Sequence, residues 1–136
     1  MSALSSRNRR LAIAATGAAV LLAGTAPAIG ASTVSESLSN FKITGGSSAK
    51  AGAVTFKVKN VTGIGHELVV IKTNTKAAKL KIVKGRASET GKVKEVEVGA
   101  HKSATLKVTL KKGHYALICN VGDHYMEGMH KDFTVK

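Results

Sequence analysis

In several short runs of this chain, apolar residues recur at every second position. Val54, Phe56 and Val58 alternate with Thr55, Lys57 and Lys59, and Ala104, Leu106, Val108 and Leu110 share one parity while Lys107 and Thr109 take the other. A two-residue period sends successive side chains to opposite faces of a pleated backbone, so each run reads as a strand with one dry and one wet face. Phe41 with Ile43, residues 93–98 and residues 133–135 carry the same signal. Residues 66–71 are mostly apolar in both parities, which suits a central strand, and residues 115–119 form another strand. Gly45-Gly46-Ser47-Ser48, residues 60–65, residues 99–102 and Lys111-Lys112-Gly113 supply the turns between them. Residues 73–91 are the least regular: 77–80 suits a short helix and 80–82 a short strand. Many short strands with frequent turns predict an all-β chain, an antiparallel Greek-key β-sandwich or barrel.

The first 31 residues stand outside that pattern. Arg7, Arg9 and Arg10 form a positive head, residues 11–26 an apolar middle, and Ala26-Pro27-Ala28 a small-residue exit. Together these are the parts of a secretory signal peptide, with cleavage expected after Ala28 or Ala31. Residues 11–31 carry no charge and are long enough to span a bilayer, so an uncleaved anchor is the alternative. Asn8-Arg9-Arg10-Leu11 loosely matches a twin-arginine signal. Each reading exports the chain, to the periplasm, the outer face of the cytoplasmic membrane or the medium, and leaves 32–136 as one small domain.

Small exported domains often rely on disulfides, yet Cys119 is the only cysteine. A lone thiol in an oxidising compartment calls for an occupant, and a bound metal would protect the sulfur and stabilise the fold. Removing the three arginines of the head from the 21 Lys and Arg leaves 18 against 8 Asp and Glu, a formal net charge of +10. Residues 72–94 hold eight of these cations and one acid, Glu89. Such a stretch either guards strand edges from aggregation or docks an acidic partner. With five aromatic residues beyond the leader and no stacking motif, nucleic acid is a poor partner.

The chemistry lies near the C-terminus. Cys119, His124 and Met129 fall within eleven residues, just after a strand and among Gly122 and Gly128, which let the backbone fold tightly. Cys119 shares the parity of Tyr115 and Leu117, and His66 that of Leu68 and Val70, so both are expected to point inward at strand ends. Alone, a buried cysteine is usually a small hydrophobe and Met129 plain core. Jointly, two His, one Cys and a weak Met form the ligand set of blue-copper electron-transfer sites. Zinc gains little from a thioether, so copper is the expected ion. Met126 is the rival thioether, and His101, His114 and His130 are read as surface residues.

Residues 51–60, Gly65-His66-Glu67-Leu68-Val69-Val70 and residues 113–129 resemble the cupredoxin family, the blue copper proteins that include plastocyanin, azurin and rusticyanin. The Cys-x4-His-x4-Met spacing is most similar to the rusticyanin and sulfocyanin branch. The resemblance implies one copper ion cycling between Cu(I) and Cu(II), with His66, Cys119 and His124 in a trigonal plane and Met129 as the distant axial ligand. It places the Gly65 carbonyl at a weak fifth contact. Two departures stand out. Glu67 replaces the usual Asn or Ser after the first His, leaving only its backbone N–H assured for the sulfur. Gly122-Asp123-His124 stands where the loop commonly reads Pro-Gly-His, so the loss of Pro would loosen it and the nearby Asp123 carboxylate would favour Cu(II).

Such a ligand set implies an electron carrier rather than an enzyme. Four protein ligands leave no open position of the kind catalytic metals keep, and the chain has no His-x-His pair for further copper centres. The family's exit route implies an exposed edge of His124, with Ile64, Val121, Tyr125 and Met126 as rim. Its partners would be redox proteins with acidic docking surfaces, met by a monomer, with membrane contact through a retained leader or peripheral electrostatics. A copper chaperone or storage protein is the alternative, which Met126, Met129 and His130 near Cys119 also suit. A cysteine nucleophile would need an exposed thiolate, against the inward parity of Cys119.

Overall fold

A computed structural model describes residues 30–136, so the expected leader lies outside the described residues. The strands run in chain order: β1 (Ser32–Ser39), β2 (Lys42–Gly45), β3 (Ser48–Ala49), β4 (Gly52–Asn60), β5 (His66–Lys72), β6 (Ile82–Val83), β7 (Arg86–Ala87), β8 (Lys92–Val98), β9 (Ser103–Leu110), β10 (Gly113–Ile118) and β11 (His130–Val135). One sheet has the order β2-β1-β4-β9, the second β3-β11-β10-β5-β8, and β6 and β7 form a separate hairpin. The sandwich is predominantly antiparallel, as expected. Two pairs are parallel, β1 with β4 and β3 with β11.

The alternating runs do what their period requires. Val54, Phe56 and Val58 from β4 meet Leu106 and Leu110 from β9 and Leu68, Val70, Leu117 and Phe133 from the other sheet. The rings of Phe56 and Phe133 meet across the sheets at 5.3 Å between centroids. Strands β5 and β10 are apolar in both parities because their outer faces are also covered. Val69, Ile71, Ala116 and Ile118 pack beneath Ala77, Ala87 and Tyr125 in a second cluster. The short 3-10 turn Ala77–Lys79 and the hairpin occupy the irregular stretch, so both expectations for it hold in part.

Strand β1 escaped the sequence pattern. Its inward positions are Val34, Glu36 and Leu38, and the carboxylate breaks the apolar alternation. Glu36 faces inward because Lys131 of β11 reaches it from the opposite sheet, at 2.7 and 2.8 Å to its two oxygens. Burial still lifts the Glu36 carboxyl above its ordinary value, against the opposing pull of the ammonium.

Candidate metal centre

The site forms where the central strands of the second sheet end together. His66 opens β5 and is 2% exposed, while Cys119 follows directly on β10 and is fully buried among core side chains. The loop after Cys119 closes on itself. The Cys119 N–H donates to the Met129 carbonyl at 3.0 Å, Met129 N–H to His124 at 3.1 Å, and His124 N–H to Val121 at 3.0 Å. Gly122 and Gly128 take φ of +51° and +108°, left-handed conformations that L side chains rarely adopt. Thus one loop carries Cys119, His124 and Met129 back over the strand ends.

Three donor atoms converge there. The Nδ1 atoms of His66 and His124 lie 3.1 Å apart, and the Cys119 sulfur is 3.8 and 3.4 Å from them respectively. The circle through those three atoms has a radius of about 2.0 Å, against metal–nitrogen bonds of about 2.0–2.1 Å and metal–sulfur bonds of about 2.3 Å. The donor set therefore fits one transition-metal ion with little movement. Thiolate, imidazole and thioether are soft or intermediate donors, which suits copper. Met129 is fully buried in the cluster that holds Cys119, whereas Met126 is 58% exposed.

Burial controls the protonation of these groups. It pushes the Cys119 thiol up, against hydrogen bonds from the Glu67 and Val121 N–H groups that favour the thiolate. His66 is pushed down, by burial first and by the neighbouring His124 second. Its Nε2 is buried without a partner among the described residues. Both shifts favour the uncharged forms, a protonated Cys119 thiol and a neutral His66 imidazole. A metal would have to displace the thiol proton.

The supporting groups were only partly visible in the sequence. The Glu67 N–H points at the sulfur at 3.4 Å, as the sequence implied. Its carboxylate has a role that the sequence did not suggest. Oε1 accepts the Asn120 N–H at 3.0 Å and so ties β5 to the residue after the thiol. The Asn120 amide pairs with both backbone groups of Ala87, at 3.0 and 2.9 Å, and donates to Glu89 at 3.1 Å. Ahead of His66, buried Asn60 donates to the carbonyls of Ile64, Val98 and Gly99 and accepts from the N–H and hydroxyl of Thr62. An Asn followed two residues later by Thr inside a glycine-rich loop is the usual sign of such a side-chain-braced turn.

His124 is 9% exposed and its ring lies against Phe41, 4.9 Å between centroids. Ile64 and Met126 are exposed and Val121 half-buried, as a rim requires. Tyr125 is not part of the rim. It is 5% exposed, and its hydroxyl turns inward to donate to the Ala77 carbonyl at 2.6 Å and accept from the Leu80 N–H. His101 is exposed, His130 stacks on Tyr125, and His114 bonds Asp132 at 2.8 Å. None of these three belongs to the donor cluster.

Known structures share this architecture. A reduced auracyanin from Roseiflexus castenholzii is similar at 20% identity and TM-score 0.58, over 78% of this chain and 96% of that one. Auracyanin A, a "blue" copper protein from Chloroflexus aurantiacus, is similar at 18% identity and TM-score 0.60, over 79% and 100%. Rusticyanin from Thiobacillus ferrooxidans is similar at 15% identity and TM-score 0.58, over 76% of both chains. At these identities the likeness establishes the fold. No curated protein matches the chain in sequence. The family model for copper-binding proteins of the plastocyanin/azurin type matches residues 37–136, which include all four expected ligands. The chain belongs to that plastocyanin/azurin family of copper-binding proteins, the cupredoxins.

Proposed function

We propose that this is an exported one-electron carrier whose copper is held by His66, Cys119 and His124, with Met129 as a weak fourth ligand. Copper bound there supplies a Cu(I)/Cu(II) couple. The observation that carries the reading is the triangle of two nitrogens and one sulfur, whose size matches a metal's coordination sphere. Burial of Met129 and exposure of Met126 support Met129 as the thioether.

The chain's own groups hold that arrangement still. Asn60 fixes the loop into His66, and Glu67 fixes the residue after Cys119. The Cys119–Met129 backbone bond shuts the ligand loop. Ligands that cannot relax between oxidation states keep the cost of electron exchange low. His124, 9% exposed, lies against Phe41, and the apolar side chains of Ile64, Val121 and Met126 are read as the rim over it, suited to the small contacts of transient redox encounters. The surplus of lysine suits a partner with an acidic docking surface, met by a monomer. With all four ligands from protein, the ion has no open position for a substrate, so the reading is of a carrier and not an enzyme. Residues 1–31 serve as the export leader, and the first strand begins at Ser32, just past the second expected cut.

Loading the protein with Cu(II) should produce an intense thiolate-to-copper band near about 600 nm. Cys119→Ser and His124→Ala should abolish it, and Met129→Leu should shift it while Met126→Leu leaves it in place. A colourless loaded protein would refute the assignment. The exposed Met126 thioether favours one rival reading, a copper holder that passes Cu(I) on. A reversible reduction potential with fast self-exchange decides for the carrier, and a site that never stabilises Cu(II) decides for the holder.

A further inference from the structure

The β6–β7 hairpin is an anomaly in a well-packed sandwich. Residues 81–86 are all exposed, among them the adjacent aliphatic side chains Ile82 at 40% and Val83 at 47%. Neighbouring strand residues point to opposite faces, so both faces of this ribbon are wet and it stands away from the body. Its tip is a tight turn at Lys84 and Gly85, with φ of 50° and 78°. Lys79, Lys81, Lys84 and Arg86 surround the aliphatic pair, and the sequence has no acid between Glu67 and Glu89. Glu89 is itself engaged by Lys92 at 2.7 Å and by Asn120. Among the described residues, none of the four cations is in an ion pair.

At the root of the hairpin lies a cleft of about 470 Å³, lined by Lys79 and Lys81 together with Thr73, Thr75, Ser88 and Thr90, while the ammonium of Lys72, also on its wall, turns to the Lys112 carbonyl at 3.4 Å. The Ser88 and Thr90 hydroxyls bond each other at 2.9 Å, which leaves the ammonium groups of Lys79 and Lys81 as the donors that a phosphodiester there would meet. We propose that the hairpin docks this protein on an anionic phospholipid surface, with Ile82 and Val83 entering the interface, the four cations meeting the headgroups and the cleft receiving a lipid phosphate. An acidic protein partner would account for the charges alone. It would leave unexplained two branched aliphatic side chains held in water on a projecting ribbon, since binding at an anionic interface draws on buried apolar area as well as on basic charge.

The consequence for the metal centre comes through Asn120. Its side chain makes both backbone bonds to Ala87 at the base of the hairpin, and it is covalently next to Cys119. Docking through the hairpin therefore holds the metal loop beside the membrane, where its search for membrane-bound partners becomes two-dimensional. The proposal does not depend on electron transfer and applies to the copper-free protein as well.

Sedimentation of the exported protein with phosphatidylcholine vesicles, with and without about a third phosphatidylglycerol, tests it. Partitioning should rise at least about tenfold on the anionic vesicles, and a retained leader would bind both kinds alike. Ile82→Ser with Val83→Ser, and separately Lys81→Gln with Lys84→Asn, should each lower that partitioning by about tenfold while the Cu(II) spectrum stays unchanged. A polarity-sensitive dye on Val83→Cys should shift blue on anionic vesicles, and buried Cys119 leaves the labelling selective. Three outcomes would overturn the proposal. They are equal binding to both vesicle types, wild-type binding by the double-serine variant (charge alone, as for an acidic protein), and displacement by inorganic phosphate beyond that of chloride at equal ionic strength (a free-anion site).

Discussion

Asn60 is the residue whose loss should most damage the site without touching a ligand. Its amide hydrogens serve three carbonyls, those of Ile64, Val98 and Gly99, at 2.7, 3.0 and 3.1 Å. Its oxygen takes the Thr62 N–H at 2.9 Å and the Thr62 hydroxyl at 2.8 Å. Two hydrogens and two lone pairs make about four effective bonds, each worth about 1 kcal/mol net. Asn60→Ala removes all of them and leaves at least the Val98 carbonyl and the Thr62 N–H, in a fully buried setting, without that partner. The expected loss is about 4 kcal/mol, a large part of the stability of about 5–15 kcal/mol usual for a domain. Urea unfolding of the copper-free protein measures it, with an unchanged m-value showing that the effect is on stability. Because the freed loop leads into His66, copper affinity in a chelator competition should fall about 10–100-fold, the range seen when the supports of metal ligands are removed. Asn60→Asp separates the two halves of the network. It keeps the acceptor but sets a carboxylate against three carbonyls, so it should be at least as unstable as alanine at neutral pH. A loss below about 1 kcal/mol for both variants would refute the account of the loop as held by this one side chain.

Glu36→Ala should cost about 3–5 kcal/mol by stranding Lys131 between the sheets, whereas Glu36→Leu with Lys131→Met should be near neutral; equal losses for the two in urea unfolding would count against a true inter-sheet pair. Alkaline pH should destabilise the copper-free protein. Burial raises the folded values of Cys119, Tyr115 and Tyr125 above their ordinary 9.0, 10.0 and 10.0, so their contribution is full below those values and lost as pH rises through the folded ones. Urea midpoints should decline from pH 9 upward, with Cys119→Ser removing the first part of the slope and a flat profile to pH 10.5 excluding the effect. Asp123→Asn should raise the reduction potential by removing an exposed negative charge next to His124, and a redox titration showing no rise would dismiss that charge as a determinant.

The strands and the donor cluster were legible for the same reason: both are carried by local spacing. Period-two runs revealed β4, β9 and the apolar centre of β10, and parity alone sent His66 and Cys119 inward, where they are found. Spacing conceals any residue whose behaviour is set by a partner far along the chain. Glu36 hid β1 because its counter-ion, Lys131, is 95 residues away. Tyr125 looked like an exposed aromatic in a glycine-rich loop, yet its hydroxyl has partners at Ala77 and Leu80 that close a second core over the outer face. Glu67 looked like a lost support, and its carboxylate restores one by accepting from Asn120.

A domain of this size without a disulfide has to obtain its rigidity elsewhere. It does so at the end where the ligands meet. The thiol and one imidazole sit at the ends of paired strands, and the other imidazole is on a loop sealed by its own backbone bonds. Side-chain amides then tie that end to the end of β8 and to β7, and a carboxylate ties β5 to the residue after the thiol. The two imidazole nitrogens stand 3.1 Å apart, with the thiol sulfur 3.8 and 3.4 Å from them. Copper held by these three groups would take the place of the thiol proton and would need little displacement of the nitrogens and sulfur. Rigidity that a disulfide would have supplied by restricting the unfolded chain is thus supplied in the folded one, at the place where an electron carrier needs its ligands not to move.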